Sequence, residues 1–316
     1  MLNRYLLLCF LLVGCRNNNP HQSTMSVVSE SGEYQWEKLS DTAAFKRADK
    51  IQLMNIRDTI WAFLQHGIYY STNGINFHLS KLEPIVSSTG LSGFIFFNNK
   101  LISLSHFKPH SLASSTGFTH TSLNLQDWKQ VISSTMPFRR SYNPVGFKGK
   151  FWIFGGKDSS GLHADAWNSE DAIHWKKVAD SLAFGPIDNY NMIVFKKKLL
   201  MLSEHLWDSE DGIHWRKVQT TAVPSLHSST PIIFNDKLWI FGAGFINEEN
   251  GKVLVSADLK KWDTLRAPWL ERSSPAACIF HGKILLGGGN HHLISGNVLK
   301  DSLLNDIWQM KSKPDE

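Results

Sequence analysis

A seven-residue pattern recurs five times along the chain and constrains its fold more than any other feature. In each copy a Ser is followed after two residues by Asp or Asn, and after six residues by Trp or Phe. The copies begin, at intervals of 40 to 51 residues, at Ser71, Ser122, Ser169, Ser209 and Ser256. A period of this size predicts an array of similar units that bury their apolar faces against one another.

The residue types of the pattern predict a tight turn between two strands. Ser, Asp and Asn side chains bond to neighbouring backbone amides, and the aromatic residue leads the next strand into a packed layer. We therefore expect a structural role for these turns rather than direct contact with a ligand.

Short apolar runs recur in step with the turns. Each is bounded by Gly, Asn, Asp or Lys and is preceded by another extended stretch, which is typical of paired strands. The runs cover 60–64, 101–104, 151–156, 199–202, 238–242 and 284–289. With a third strand ending near each Ser and a fourth carrying the aromatic residue, every unit is predicted to have four antiparallel strands.

The two ends of the chain complement each other. The sixth unit has a third strand at 305–309 but no fourth, whereas a segment that resembles a fourth strand stands alone at 34–39. We expect the N-terminal strand to complete the last sheet. The predicted fold is all-β, a six-bladed β-propeller over residues 31–316, since radial closure protects the edges of a long all-β chain.

Two features resemble known propeller families. The apolar runs that end in Gly155-Gly156 and Gly287-Gly288-Gly289, with a Trp later in the unit, resemble kelch repeats, and the Ser turn is similar to the Asp-box of sialidases. The resemblance covers about residues 33–311. It implies a six-bladed propeller and a choice of functions, since such propellers include sialic-acid mutarotases and sialidases, and many others only bind. Two units, at 64–66 and 202–204, lack the glycine pair, and no catalytic signature can be transferred.

The N-terminus predicts export and lipidation. Arg4 precedes an apolar run at 5–13, which is shorter than the ~20 residues of a membrane span, and Gly14-Cys15 follows it. Residues 1–14 are predicted to be a lipoprotein signal peptide, Cys15 the lipidated residue and 15–30 a flexible tether. The alternative is an ordinary cleaved signal. We expect a bacterial cell-envelope protein anchored by its lipid alone, with the outer membrane, periplasmic or surface-facing, favoured because Arg rather than Asp follows Cys15.

Composition narrows the function classes. Of three cysteines only Cys278 would remain unmodified in the exported domain, so no disulfide is expected. The formal net charge is +5 with the basic residues scattered, which argues against nucleic-acid binding. The sequence contains no zinc motif, phosphate loop or dinucleotide fingerprint. We expect no cofactor, no metal and a monomer.

The binding side follows from the topology. In a four-stranded blade the first and third turns share one end of the ring, and the second turns share the other end with the links between blades. The first and third turns are short here, whereas the long insertions, at 105–115, 157–163, 244–250 and 290–301, all belong to the other end. Insertions gathered on one side of a repeat array are typical of a binding surface.

Charged residues on that side are the site candidates. Arg139 and Arg272 occupy the same repeat position, and their planar forks of donors suit a carboxylate or a sugar. The alternative is that they bond backbone carbonyls between blades and hold the ring together. Glu204 and His205, on the shortest loop, are candidates for proton transfer. The predicted ligand-binding residues are Arg139, Arg140, Arg272, His227, Lys157 and Asp188.

Two functions remain open. The first is a lipid-tethered propeller that binds a carbohydrate or an envelope protein and carries out no catalysis, and the sequence favours this one. The second is a sugar-active enzyme resembling a sialic-acid mutarotase or a sialidase. A purely structural envelope protein is a third possibility.

Overall fold

A computed structural model describes most of the chain from residue 27 onward. The described residues are 27–28, 34–48, 51–64, 66–81, 93–107, 116–125, 127–133, 135, 139, 142–218, 226–242, 251–295 and 298–312. Strands and turns account for all regular structure within these ranges. The search for a helix long and apolar enough to cross a membrane found none in the described part of the chain.

The strands form six sheets and two small inserted hairpins. The first two strands, β1 (Val27–Val28) and β2 (Tyr34–Ser40), belong to the last sheet. Blade 1 contains β3 (Ile51–Ile56), β4 (Thr59–Leu64), β5 (Gly67–Ser71) and β6 (His78–Leu79). Blade 2 contains β7 (Phe94–Phe97), β8 (Lys100–Phe107), β9 (Thr116–Ser122) and β10 (Lys129–Ser133). Blade 3 contains β11 (Val145–Phe147), β12 (Lys150–Phe154), the hairpin β13 (Lys157–Asp158) and β14 (Gly161–Leu162), β15 (Ala166–Ser169) and β16 (Lys176–Ala179).

The second half of the ring repeats the plan. Blade 4 contains β17 (Asn191–Phe195), β18 (Lys198–Leu202), β19 (Leu206–Ser209) and β20 (Trp215–Lys217). Blade 5 contains β21 (Thr230–Phe234), β22 (Lys237–Phe241), β23 (Lys252–Ser256) and β24 (Asp263–Arg266). Blade 6 contains β25 (Ala276–Phe280), β26 (Lys283–Gly287), the hairpin β27 (Asn290–Ser295) and β28 (Val298–Leu303), and β29 (Ile307–Ser312). Neighbouring strands of every blade are antiparallel, so the predicted six-bladed propeller is confirmed.

The N-terminal strand closes the ring. Strand β2 pairs with β29, with Trp36 opposite Met310 and Lys38 opposite Trp308, and the sheet runs β1-β2-β29-β26-β25. The first strand of blade 1, β3, lies beside the first strand of blade 6. The structure adds β1 at the outer edge of this sheet, and its two residues fall in the range predicted to be a tether.

The core lies between adjacent blades and is rich in aromatic residues. Trp36 of blade 6 contacts Phe241 of blade 5 and Trp269 of the link after it, with ring centroids 6.0 and 4.4 Å apart. Phe154 of blade 3 similarly meets Trp215 of blade 4 at 5.2 Å. Edge-to-face pairs of this kind contribute about 0.5–1.5 kcal/mol each beyond the burial of their surface. Stability is therefore distributed around the ring.

Polar side chains in or just before the first strands of blades 1, 3, 4 and 5 link each of these blades to the next. The Gln52 side chain donates to the Phe94 carbonyl at 2.7 Å and accepts from the Phe94 amide at 3.0 Å. Asn143, Asn191 and Thr230, at the same repeat position four residues before the strand ends, donate to the backbone carbonyl of the residue that precedes the first strand of the following blade. These bonds satisfy first-strand backbone groups that have no neighbouring strand in their own sheet.

The repeated Ser turns have the predicted structural role. The Ser209 hydroxyl accepts a hydrogen bond from the Gly212 amide at 2.8 Å, and Asp211 accepts from the amides of Ile213 and His214, both at 2.8 Å. Partial burial acts to raise the pKa of Asp211, but hydrogen bonds from the His214 ring, from these two amides and from the Ser209 hydroxyl outweigh it, and the pKa is lowered overall. The turn thus uses its own polar groups to hold its shape.

Candidate functional site

The irregular segments of the chain gather at one end of the ring. We call this end, formed by the second turns and the links between blades, the loop face, and the other end the Ser-turn face. The described segments of the loop face are 41–48, 66, 80–81, 139, 142–144, 155–165, 180–190, 203–205, 226–229, 267–275, 288–295 and 298–306. Both inserted hairpins, β13–β14 and β27–β28, lie there, because they replace the second turns of blades 3 and 6.

Arg139 and Arg272 make equivalent buried ion pairs. The Arg139 side chain, 6% exposed, forms a two-point pair with Asp165, which is 5% exposed, and donates to the Gly155 carbonyl at 2.9 Å. In blade 6 the Arg272 fork bonds Asp306 at 2.5 and 2.9 Å, and its nitrogen Nη1 donates to a glycine carbonyl at 2.9 Å. Each arginine therefore connects the second and third strands of its own blade. It bonds a glycine carbonyl just after the second strand and an Asp carboxylate just before the third.

The electrostatics of these pairs are consistent with a structural role. Burial acts to raise the pKa of Asp165, but hydrogen bonds from Arg139 and Trp167 and the positive charge of Arg139 keep that pKa below its usual value. An anionic ligand at either guanidinium would have to displace a carboxylate held at hydrogen-bonding distance. The observed bonds connect strands within one blade, whereas the alternative considered from the sequence had the two arginines bonding backbone carbonyls between blades.

A repeated signal for these pairs is present in the sequence. Asp165 and Asp306 each precede a Trp by two residues, and the indole nitrogens of Trp167 and Trp308 donate to the paired carboxylates at 2.9 and 2.7 Å. An Asp-x-Trp repeat at the start of the third strand could have identified the partner of each arginine.

The structure brings His227, Glu204 and residues 188–189 together from three segments of the loop face. His227, in the link between blades 4 and 5, has its ring nitrogen Nε2 3.7 Å from a Glu204 carboxylate oxygen. Its Nδ1 lies 3.3 Å from the Asn189 carbonyl, next to the half-buried Asp188. We call His227, Glu204, His205 and Asp188 the blade-4 cluster.

The short second turn of blade 4 exposes two members of this cluster. The Ser203 amide and hydroxyl both bond the His205 carbonyl, at 3.1 and 3.0 Å, which closes a tight turn. Glu204 and His205 are consequently exposed, and the Glu204 side chain is 77% accessible. The Glu204 carboxylate and the His227 imidazole are therefore available to a polar ligand.

The other predicted site residues lie apart or outside the described ranges. Lys157 is half-buried in β13 of the blade 3 hairpin, where its backbone lies opposite Leu162. Arg140 and Cys15 lie outside the residues that the structure describes. A search of the described residues for groups of three or more His, Cys, Asp or Glu side chains able to hold a metal ion found none.

Glu271 is a loop-face residue that the sequence did not single out. It is 8% exposed, and its carboxylate accepts a hydrogen bond from the Lys252 amide at 2.9 Å. Burial raises the pKa of this carboxyl to about 7, despite the opposing effects of backbone hydrogen bonds and of the Arg272 charge. The repeat position of Glu271 does not distinguish it in the sequence, because its raised pKa arises from burial in the folded protein.

Comparison with known proteins shows the fold and no more. No protein-family model matches the sequence, and no curated protein matches it. One similar solved structure is that of a protein named YjhT, which superposes with a TM-score of 0.60 over 85% of this chain and 96% of that one. The two sequences are 12% identical. At this identity the likeness supports the propeller fold alone.

Proposed function

We propose that this chain is a lipid-anchored propeller of the bacterial cell envelope that binds a carbohydrate or a protein partner on its loop face. The single observation behind the proposal is the contrast between the two ends of the ring. On the Ser-turn face the polar groups bond one another within regular turns. On the loop face, the exposed side chains of His227 and Glu204 approach each other from separate segments, and His227 also lies beside the Asn189 carbonyl of a third segment.

The anchor rests on the sequence of the N-terminus. The signal-like segment 1–14 and Cys15 motivate the proposal of lipidation and envelope location. A lipid on Cys15, followed by about a dozen polar residues before β1, would hold the ring close to a membrane surface while leaving its loops accessible.

A sugar-active enzyme similar to sialidases or mutarotases is the second candidate function. It is supported by the kelch-like and Asp-box-like repeats and by the carboxylate and imidazole of Glu204 and His227. Two features argue against the sialidase version. Arg139 and Arg272, in the links before the first strands of blades 3 and 6, are paired with aspartates, and the two tyrosines that interact with the Arg139 charge, Tyr142 and Tyr190, are 4% and 1% exposed. A buried phenol whose pKa is raised, as for Tyr190, is a poor nucleophile.

The binding proposal is tested with the chain that follows Cys15, so that β1 and β2 are retained. It is screened against a glycan array and against envelope proteins from the same organism, and each ligand found is titrated against variants. His227→Ala and Glu204→Ala should weaken binding about 10- to 100-fold, the effect of losing a hydrogen bond to a charged group. His214→Ala is the matched control, because His214 is an exposed histidine of the same blade on the Ser-turn face.

The outcomes separate the candidates. Loss of binding in the His227 and Glu204 variants, with the His214 variant unchanged, supports the loop face. Equal effects in all three variants, or an effect in the control alone, contradicts the proposal. Turnover of a sugar by the wild-type protein, abolished by Glu204→Ala while binding persists, favours the enzyme instead.

A further inference from the structure

Three side chains beside the first strand of blade 6 form a continuous hydrogen-bonded relay. The Ser273 hydroxyl lies 2.7 Å from ring nitrogen Nε2 of His292, and the other ring nitrogen, Nδ1, lies 2.7 Å from a carboxylate oxygen of Asp301. The histidine thus connects a hydroxyl on one side to a carboxylate on the other. Both distances are within hydrogen-bonding range for a nucleophile, its base and the group that orients the base.

Separate elements hold the three residues in place. Ser273, in the link before β25, exchanges backbone hydrogen bonds of 2.8 and 2.9 Å with Asn290 at the start of β27. His292 follows on β27 and lies directly opposite Asp301 on β28. Since neighbouring residues of a strand point to opposite faces, His291 is buried against the Glu271 carbonyl while His292 points toward Ser273.

The carboxylate determines which nitrogen of His292 can act as a base. When Asp301 accepts the proton carried by Nδ1, Nε2 is left with a free lone pair, and it faces the Ser273 hydroxyl. This is the tautomer required for removing the hydroxyl proton.

A second cluster of the same residue types lacks this connectivity. In the blade 3 hairpin, Ser160 and Asp158 both approach Nε2 of His163, at 3.4 and 2.7 Å, and the Ser160 hydroxyl donates directly to Asp158 at 2.6 Å. There the imidazole does not lie between the hydroxyl and the carboxylate. This second cluster therefore serves as a control, because it has the same residue types but its histidine does not connect the serine to the aspartate.

We propose that Ser273, His292 and Asp301 form a serine esterase site that hydrolyses carboxylic esters. The Ser273 oxygen attacks the ester carbonyl carbon while Nε2 of His292 takes its proton. The carbon–oxygen bond to the alcohol then breaks, and His292 returns the proton to the departing alcohol. A water molecule, deprotonated by the same nitrogen, then attacks the acyl carbon, the bond from that carbon to the Ser273 oxygen breaks, and His292 returns the proton to the Ser273 oxygen as the carboxylic acid leaves.

The site is accessible and shares no residue with the blade-4 cluster. The His292 and Asp301 side chains are 31% and 49% exposed, and Ser273 is half-buried. Ser274 donates its amide to the carbonyl of Ser228, the neighbour of His227, at 2.6 Å, so both sites lie on the loop face. The inference goes beyond the proposed binding function and departs from the non-catalytic role favoured by the sequence. The members are spaced 19 and 9 residues apart on different elements, which no short motif captures.

The test uses the full purified chain and p-nitrophenyl acetate. Ser273→Ala and His292→Ala should each lower kcat at least about 100-fold, the lower bound for removing a positioned base or its nucleophile. Asp301→Asn should lower kcat with KM unchanged, because Asp301 acts by orienting His292 and does not touch the substrate. Ser160→Ala should have wild-type activity.

A covalent readout keeps the test independent of variant folding. Wild-type protein treated with a fluorophosphonate should gain the mass of one adduct, which peptide mapping places on Ser273. The Ser160 variant should be labelled at the wild-type rate and the Asp301→Asn variant more slowly. The proposal is wrong if the wild-type hydrolyses the ester no faster than folded Ser273→Ala protein, or if no adduct forms at Ser273. In either case the three residues only brace the β27–β28 hairpin against blade 6.

Discussion

Replacing Arg139 by Met should destabilise the protein strongly, because it leaves the buried Asp165 with only the exposed Lys177 ammonium, 4.0 Å away, as a cation. The two side chains are 6% and 5% exposed, so neither can exchange its partner for water without local opening. Removing one partner of a buried ion pair costs about 3–5 kcal/mol. The Arg139→Met/Asp165→Asn double variant keeps an acceptor for Trp167 but no isolated charge. It should lose only about 1–2 kcal/mol, as expected for one or two neutral hydrogen bonds.

The measurement is the free energy of unfolding, obtained from urea titrations monitored by tryptophan fluorescence. The variants are comparable when this free energy depends on urea concentration with the same slope. Lys150→Ala is the control, because Lys150 and Glu170 form an exposed pair at 3.4 Å that should contribute no more than about 1 kcal/mol. If Arg139→Met were as stable as Lys150→Ala, the buried pair would not support the blade. A loss of ligand affinity with unchanged stability would then return Arg139 to the binding site.

Three further predictions concern other parts of the molecule. Between about pH 4.5 and about pH 7 the folded state holds a proton on Glu271 that the unfolded state releases, so the contribution of Glu271 to stability falls as the pH rises through this range. In urea titrations at several pH values, the stability of the wild type relative to Glu271→Gln should therefore fall as the pH rises, and a difference that does not change with pH would contradict the raised pKa. Ser209→Ala should cost about 1 kcal/mol, since it removes the acceptor for the Gly212 amide, whereas an effect below a few tenths of a kcal/mol would show that the turn does not need the hydroxyl. Cys15→Ala should abolish incorporation of radiolabelled fatty acid and release the protein from the membrane fraction, and a variant that stays labelled would refute the proposed anchor.

The sequence was sufficient for the fold because the propeller has strong local and periodic signals. The Ser turns, the six apolar runs and the unpaired strand at 34–39 predicted the blades and their closure, and the pairing of Lys38 with Trp308 confirms it. The inserted hairpins β13–β14 and β27–β28 were predicted only as irregular insertions. Their strands lack continuous alternation of apolar and polar residues, and their pairing depends on the blade that supports them.

The site was less predictable because its contacts join residues far apart in sequence. Arg139 lies 26 residues from Asp165, and His227 lies 38 residues from Asn189. Residue type and face could be predicted from topology, which correctly placed Glu204 and His227 on one end of the ring. The sequence could not show which charged side chains form ion pairs. An arginine paired with a buried carboxylate and an arginine open to a ligand have the same sequence signature.

Hydrogen–deuterium exchange with and without a ligand tests the central claim, that the loop face is the functional face. For any glycan or protein partner found by screening, the account predicts slower exchange in peptides covering 187–190, 203–206 and 226–229. It predicts unchanged exchange in the peptide covering 209–215 of the same blade, on the Ser-turn face. Protection confined to 209–215 and the equivalent turns of the other blades, with the three loop-face peptides unaffected, would contradict it.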